Sequence, residues 1–165
     1  MLLVTAIAVS NGNRNVSGRL FMTPQSSDIY FRQDQIDRVF ALLTSTDKEL
    51  QKRFNEYLLV DYEDESLERL YYLDVSEIAR FIIDKIKAGQ TSFFEEFFNQ
   101  IEFILSNCDD YVGELIVIGL FESIQNAGGK DINYYQGFDQ WLKPLSKQNW
   151  DELIDFWEGQ DWRTK

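Results

Sequence analysis

The stretch Tyr111-Val-Gly-Glu-Leu-Ile-Val-Ile-Gly-Leu-Phe-Glu-Ser-Ile-Gln125 decides the fold. No charge lies between Glu114 and Glu122. At about 100° per residue, Val112, Leu115, Ile116, Val117, Leu120, Phe121 and Ile124 spread over most of a helical circumference. A helix apolar nearly all round belongs inside a core, and this one is too short to span a bilayer. Its polar side is narrow: Glu114, Glu122, Gln125 and Asn126, with Ile118 among them. Gly119 and Ser123 lie one turn apart, where a neighbouring helix can approach closely. The stretch therefore predicts a central helix wrapped by amphipathic ones. Asp109 and Asp110 precede it as caps that suit the positive N-terminal end, and Gly128-Gly129 closes it.

Working outward, the flanking segments supply those amphipathic helices. Residues 33–44 place Ile36, Val39, Phe40 and Leu43 on one face. Thr46-Asp-Lys-Glu49 reads as a capping box, with Leu50, Phe54, Tyr57 and Leu58 turned inward behind it. Asp61-Tyr-Glu-Asp-Glu65 is an acidic break. Asp74-Val-Ser-Glu77 is capping-like and opens a helix carrying Val75, Ile78, Ala79, Ile82, Ile83 and Ile86; Gly89 stops it. Ser92 caps the next helix, whose stripe is Phe93, Phe94, Phe97, Phe98, Ile101, Ile104 and Leu105. Beyond the central helix, 131–137 is a polar, aromatic connection and Phe138 to Leu142 a short helix ended near Pro144. Ser146 caps the last helix, Lys147 to Glu158, and Gly159 ends it. Trp150, Leu153, Ile154 and Trp157 form its apolar face.

These readings predict a mainly α, single-domain helical bundle over residues 1–165, in which successive hairpins can stack as in a solenoid. The core covers 33–159. Residues 1–32 form a β-like arm, with short strands at Met1 to Val9, Gly18 to Met22 and Asp28 to Phe31. Met1 to Val9 is apolar but lacks the basic flank of a signal peptide.

The chain of 165 residues is 44% hydrophobic and 15% aromatic, enough for a real core. Cys108 is the single cysteine, which excludes an intrachain disulfide and fits a reducing, cytoplasmic compartment. There is no histidine, so the commonest general base and metal ligand are both missing. Net charge is −12 and uneven: residues 91–165 hold 14 acids and 5 bases, a net of −9. Direct nucleic-acid binding and an anionic membrane surface are both disfavoured, because they call for Lys and Arg. A basic partner protein is favoured, since opposite fields speed encounter.

Candidate binding residues follow from that charge. Asp151, Glu152, Asp155 and Glu158 project from the back of the last helix, either as a solvated face or as a dock for the Lys and Arg of a partner. Glu63, Asp64 and Glu65, flanked by Asp61 and Glu68, form a second cluster in a connection where recognition often sits. Tyr134 and Tyr135 are the aromatics expected to be exposed beside acids, as interface hot spots are. Catalytic motifs are missing: there is no Gly-rich phosphate loop, no nucleophile elbow and no Cys–His pair. The carboxylates do not reproduce a di-iron or calcium spacing, so neither a cofactor nor a metal is expected. An enzyme working by carboxylates alone would need two close carboxylates in a deep pocket.

The segments Glu114 to Gln125 and Trp141 to Gly159 resemble a family of small, acidic, mostly helical bacterial immunity proteins of contact-dependent inhibition and polymorphic toxin systems. The resemblance covers roughly 33–159. It implies a non-enzymatic cytoplasmic protein that binds one cognate toxin domain, a basic nuclease-type domain by charge, and occludes its active site. It supplies no fixed binding motif. The alternative is an acidic helical adaptor or regulator with a basic cellular partner.

Overall fold

The computed structural model describes residues 30–64 and 67–164. Its helices are α1 (Ile36–Thr44), α2 (Lys48–Asp61), α3 (Tyr71–Lys87), α4 (Phe94–Ser106), α5 (Asp110–Glu114), α6 (Glu122–Gly128) and α7 (Pro144–Glu158). The π-helical segment Leu115–Phe121 joins α5 to α6 without a break, so that residues 110–128 form the single central helix expected. Asp109 caps it: the carboxylate accepts the Val112 N–H at 3.0 Å and, through its other oxygen, the Gln33 N–H at 3.2 Å. One hydrophobic core takes side chains from all seven helices, and the molecule is an all-α bundle.

Val112, Leu115, Ile116, Leu120, Phe121 and Ile124 are all buried, as the uncharged stretch requires. The small side of the central helix meets α3. A Cβ on Gly119 would lie 2.8 Å from Val75 Cγ1 and 3.4 Å from Tyr72 Cδ1. One step along, the Ser123 and Ser76 hydroxyls are 3.0 Å apart. The π segment itself has no counterpart in the sequence reading, which assumed α-helical spacing throughout. Its i→i+5 bonds widen the turn; with an almost continuous apolar surface, that change moves no charged residue into the core.

Against the far side pack α4 and α7, through an aromatic cluster that includes Phe94, Phe98, Phe121, Phe138 and Trp150. The α2–α3 hairpin is antiparallel. Lys85 pairs with Glu49 at 2.6 Å, Arg53 with Glu77 at 2.9 Å and Asp84 at 2.8 Å, and Tyr57 bonds Asp74 at 3.0 Å.

Several helix starts differ from expectation. Asp47, not Thr46, caps α2, accepting from the N–H groups of Glu49 and Leu50 at 2.9 Å each. α4 begins at Phe94, its N–H bonded to the Thr91 carbonyl, and Ser92 caps nothing. α7 begins at Pro144; Ser146 sits two residues inside it, and its hydroxyl accepts the Lys143 N–H at 2.9 Å as part of the cap. The Glu102 carboxylate of α4 accepts the N–H groups of Leu145 and Ser146 at 2.9 and 2.8 Å, placing an anion at the positive helix end. Residues 138–142 are turns rather than a short helix; Phe138 is fully buried and anchors them.

The expected strands over 1–9 and 18–22 lie outside the described residues, as do residues 28 and 29 of the third. Of that arm, Phe31 forms an isolated parallel bridge with Cys108, its N–H bonded to the Asn107 carbonyl at 2.7 Å. No helix among the described residues is long and apolar enough to cross a membrane.

Candidate functional site

The back of α7 carries the four carboxylates the sequence singled out, and the fold engages each differently. Asp151, one turn beyond Lys147, forms an ion pair with it, and Lys147 also reaches Asp139 at 3.3 Å. Asp155 accepts from Arg163 at 2.6 and 3.1 Å and from the Trp162 indole at 2.7 Å. The Arg163 hydrogen bonds hold its carboxyl below the usual carboxylate range, a direction that suits an ion pair and runs opposite to the needs of a general acid. Glu158 accepts both tyrosine hydroxyls, Tyr135 at 2.6 Å and Tyr134 on its other oxygen. Glu152 is exposed and accepts from Gln148 at 2.8 Å.

Tyr134 and Tyr135 are half-buried rather than exposed. Their rings lie 4.5 Å apart and Tyr135 stacks on Trp162 at 5.7 Å. Partial burial, reinforced by the bond to the Glu158 carboxylate, pushes the Tyr134 hydroxyl well above its ordinary pKa, so it remains a donor. With Gln125, Asn126 and Asn133 the two tyrosines line an open notch of about 620 Å³ beside the end of the central helix.

The largest departure on α7 is Trp157. Helical spacing assigns it to the apolar face with Trp150, Leu153 and Ile154. Those three are buried; Trp157 is 58% exposed and Phe156 53%. The two exposed rings meet edge to face at 5.0 Å. Phe156 lies one turn after Glu152, so an exposed aromatic pair and an exposed carboxylate share one helix end.

The second acidic cluster is in the α2–α3 connection. Glu63 and Asp64 are exposed, and Glu65 lies outside the described residues. Beside this cluster stand exposed aliphatic side chains on Leu59, Val60, Leu67, Leu70 and Leu73 that the acidic-break reading passed over. A signal for two of them exists: with Leu50, Phe54 and Tyr57 inward, Leu59 and Val60 fall off the inward face of α2.

Asp74 is the residue the sequence reading most misplaced. Taken as a cap, it sits inside α3 and is fully buried. One oxygen accepts the Tyr57 and Tyr62 hydroxyls at 3.0 and 2.7 Å; the other accepts Arg69 Nε and a terminal Arg69 nitrogen at 2.9 and 2.7 Å. Arg69 also bonds Asp37, and its guanidinium lies over the Phe40 and Tyr71 rings at 5.1 and 5.3 Å. The two acidic clusters are separate surfaces: one closes the chain's last helix, the other caps the α2–α3 hairpin. Among the described residues, no group of three or more His, Cys, Asp or Glu is arranged to hold a metal ion.

No curated protein and no solved structure matches the chain. A family described as a domain of unknown function, DUF7674, matches residues 40–158, from within α1 to the last residue of α7. The match takes in both acidic surfaces and the whole central helix, and the chain belongs to the DUF7674 family.

Proposed function

We propose that this chain is a binding protein for a basic protein partner, and that it acts as an immunity protein neutralising a cognate toxin domain by covering its active site. The observation that carries the binding reading is the end of α7, where Phe156 and Trp157 stand exposed beside Glu152. Large aromatics in an acidic setting are what interfaces use as anchors, and a cation gains from both a carboxylate and an indole face. Residues 151–163 hold five acids and one base, so the field around the pair is negative. The toxin-specific part rests on the resemblance of the Glu114 to Gln125 and Trp141 to Gly159 segments. An acidic adaptor with a basic cellular partner would use the same surface.

Co-expression with a candidate basic toxin domain tests the proposal. Protection from killing is expected, and the Glu152→Lys, Trp157→Ala double variant should lose it while keeping its helical circular dichroism. Protection that survives the double variant would remove the α7 end from the interface. Absence of protection, with capture of a basic cellular protein by the same surface, would move the function to the adaptor reading.

A further inference from the structure

Leu59 and Val60 are each 74% exposed, and Leu67, Leu70 and Leu73 are 55, 56 and 57% exposed. They belong to one end of the α2–α3 hairpin. The antiparallel pairs Glu49–Lys85, Arg53–Glu77 and Tyr57–Asp74 step the two helices past each other until residues 59–61 meet the start of α3. The described residues on either side of the connection are tied together: Tyr62 donates to Asp74 at 2.7 Å and accepts the Leu70 N–H at 2.9 Å, and Arg69 is clamped on the same carboxylate. A surface fixed this way costs little ordering when something lands on it.

Charge says what that is. Asp61, Glu63 and Glu68 are exposed around the aliphatic side chains and have no ion-pair partner among the described residues. No Lys or Arg occurs from residue 54 to 68, and the next base, Arg69, is turned inward on Asp74. A second copy of a −12 chain would bring the same negative end against this one. We propose that the α2–α3 end is a docking site for a cationic amphipathic helix of a partner protein. Its apolar stripe covers Leu67, Leu70 and Leu73, and its Lys and Arg meet Asp61, Glu63 and Glu68. This surface is distinct from the α7 end and does not depend on the toxin reading.

The probe is a labelled helical peptide with Leu at i, i+3, i+4 and i+7 and Lys elsewhere, titrated into the full chain by fluorescence anisotropy. Amide NMR shifts are expected at Leu67, Leu70 and Leu73. The Leu70→Ser, Leu73→Gln double variant should weaken binding roughly tenfold or more, with unchanged circular dichroism because both positions are exposed. Gln140→Ala, an exposed position on neither proposed surface, should leave the affinity unchanged. A peptide of the same composition with its leucines scrambled off one face should bind several-fold more weakly. Equal affinity for the scrambled peptide would overturn the proposal, reducing the site to charge alone. So would shifts that map to α7, or a chain dimer in sedimentation that the double leucine variant dissolves.

Discussion

The Asp74 carboxylate receives two tyrosine hydroxyls and a forked Arg69, so its removal affects more than one bond. In Asp74→Ala, Arg69 loses its buried partner, and the Tyr57 and Tyr62 hydroxyls lose their acceptor. Breaking a buried pair by removing one member costs about 3–5 kcal/mol; Arg69 retains some exposure and Asp37, which favours the lower end. Urea unfolding should show a midpoint lowered accordingly, and a loss under about 1 kcal/mol would show that water replaces the carboxylate. Cys108 makes a pH-dependent prediction. Burial, with Asp109 and Asp110 adding, pushes its thiol from 9.0 up to about 11. The fold therefore favours the neutral thiol. Its contribution is fully present below pH 9.0 and is lost as pH rises toward about 11, since the unfolded thiol ionises first. At pH 8 iodoacetamide should modify native protein far more slowly than denatured protein; equal rates would place the thiol in solvent. The role of Asp74 was not legible in sequence, because the Tyr57 and Tyr62 hydroxyls it accepts are 17 and 12 residues away along the chain; that of Cys108 was not, because burial of the thiol is decided by packing.

Among the elements, the central helix was the most legible and its π segment the least. An uncharged run with apolar residues on nearly every side specifies burial whatever the hydrogen-bond register, so Leu115, Ile116, Leu120 and Phe121 lie in the core as expected. Within that segment α3 approaches closely at Gly119. A methyl there would lie 2.8 Å from Val75 Cγ1 and 3.3 Å from Leu115 Cδ1. Overpacking costs about 1–3 kcal/mol, against about 1 kcal/mol gained from alanine's helix propensity. Val75 is fully buried and has little room to yield. Gly119→Ala should therefore lower stability in thermal melts; an unchanged or raised midpoint would mean α3 can slide away. For α7 the spacing of its apolar residues groups Trp157 with Trp150, Leu153 and Ile154, yet Trp157 is exposed where those three are buried. A periodic stripe says which way a side chain points, not how far the supporting layer extends.

At the scale of the whole molecule, charge is the property a partner meets first. With −9 over residues 91–165, association with a basic partner should slow steeply as ionic strength rises, while dissociation changes little. Stopped-flow rates across a salt series check this, and a salt-independent on-rate would argue against steering by charge. The acidic surplus was readable directly, since net charge needs no coordinates. So were the helical class and the identity of most core positions, because burial of a 3.6-residue stripe is a property of local sequence. The distribution of that charge was not readable. Asp151, Asp155 and Glu158 look alike on a helical wheel, yet the fold gives them Lys147, Arg163 and two tyrosines, while Glu152 remains on the exposed face with a glutamine. The sequence by itself determined a helical, acidic chain built around a buried central helix. The tertiary structure alone decided which carboxylates are engaged internally and where Leu59, Val60, Leu70, Leu73, Phe156 and Trp157 stand uncovered. Lys147 lies one turn before Asp151 and Arg163 eight residues after Asp155, but the tyrosines that hold Glu158 belong to another segment, as does any cover for a helix end, and local periodicity carries no record of them.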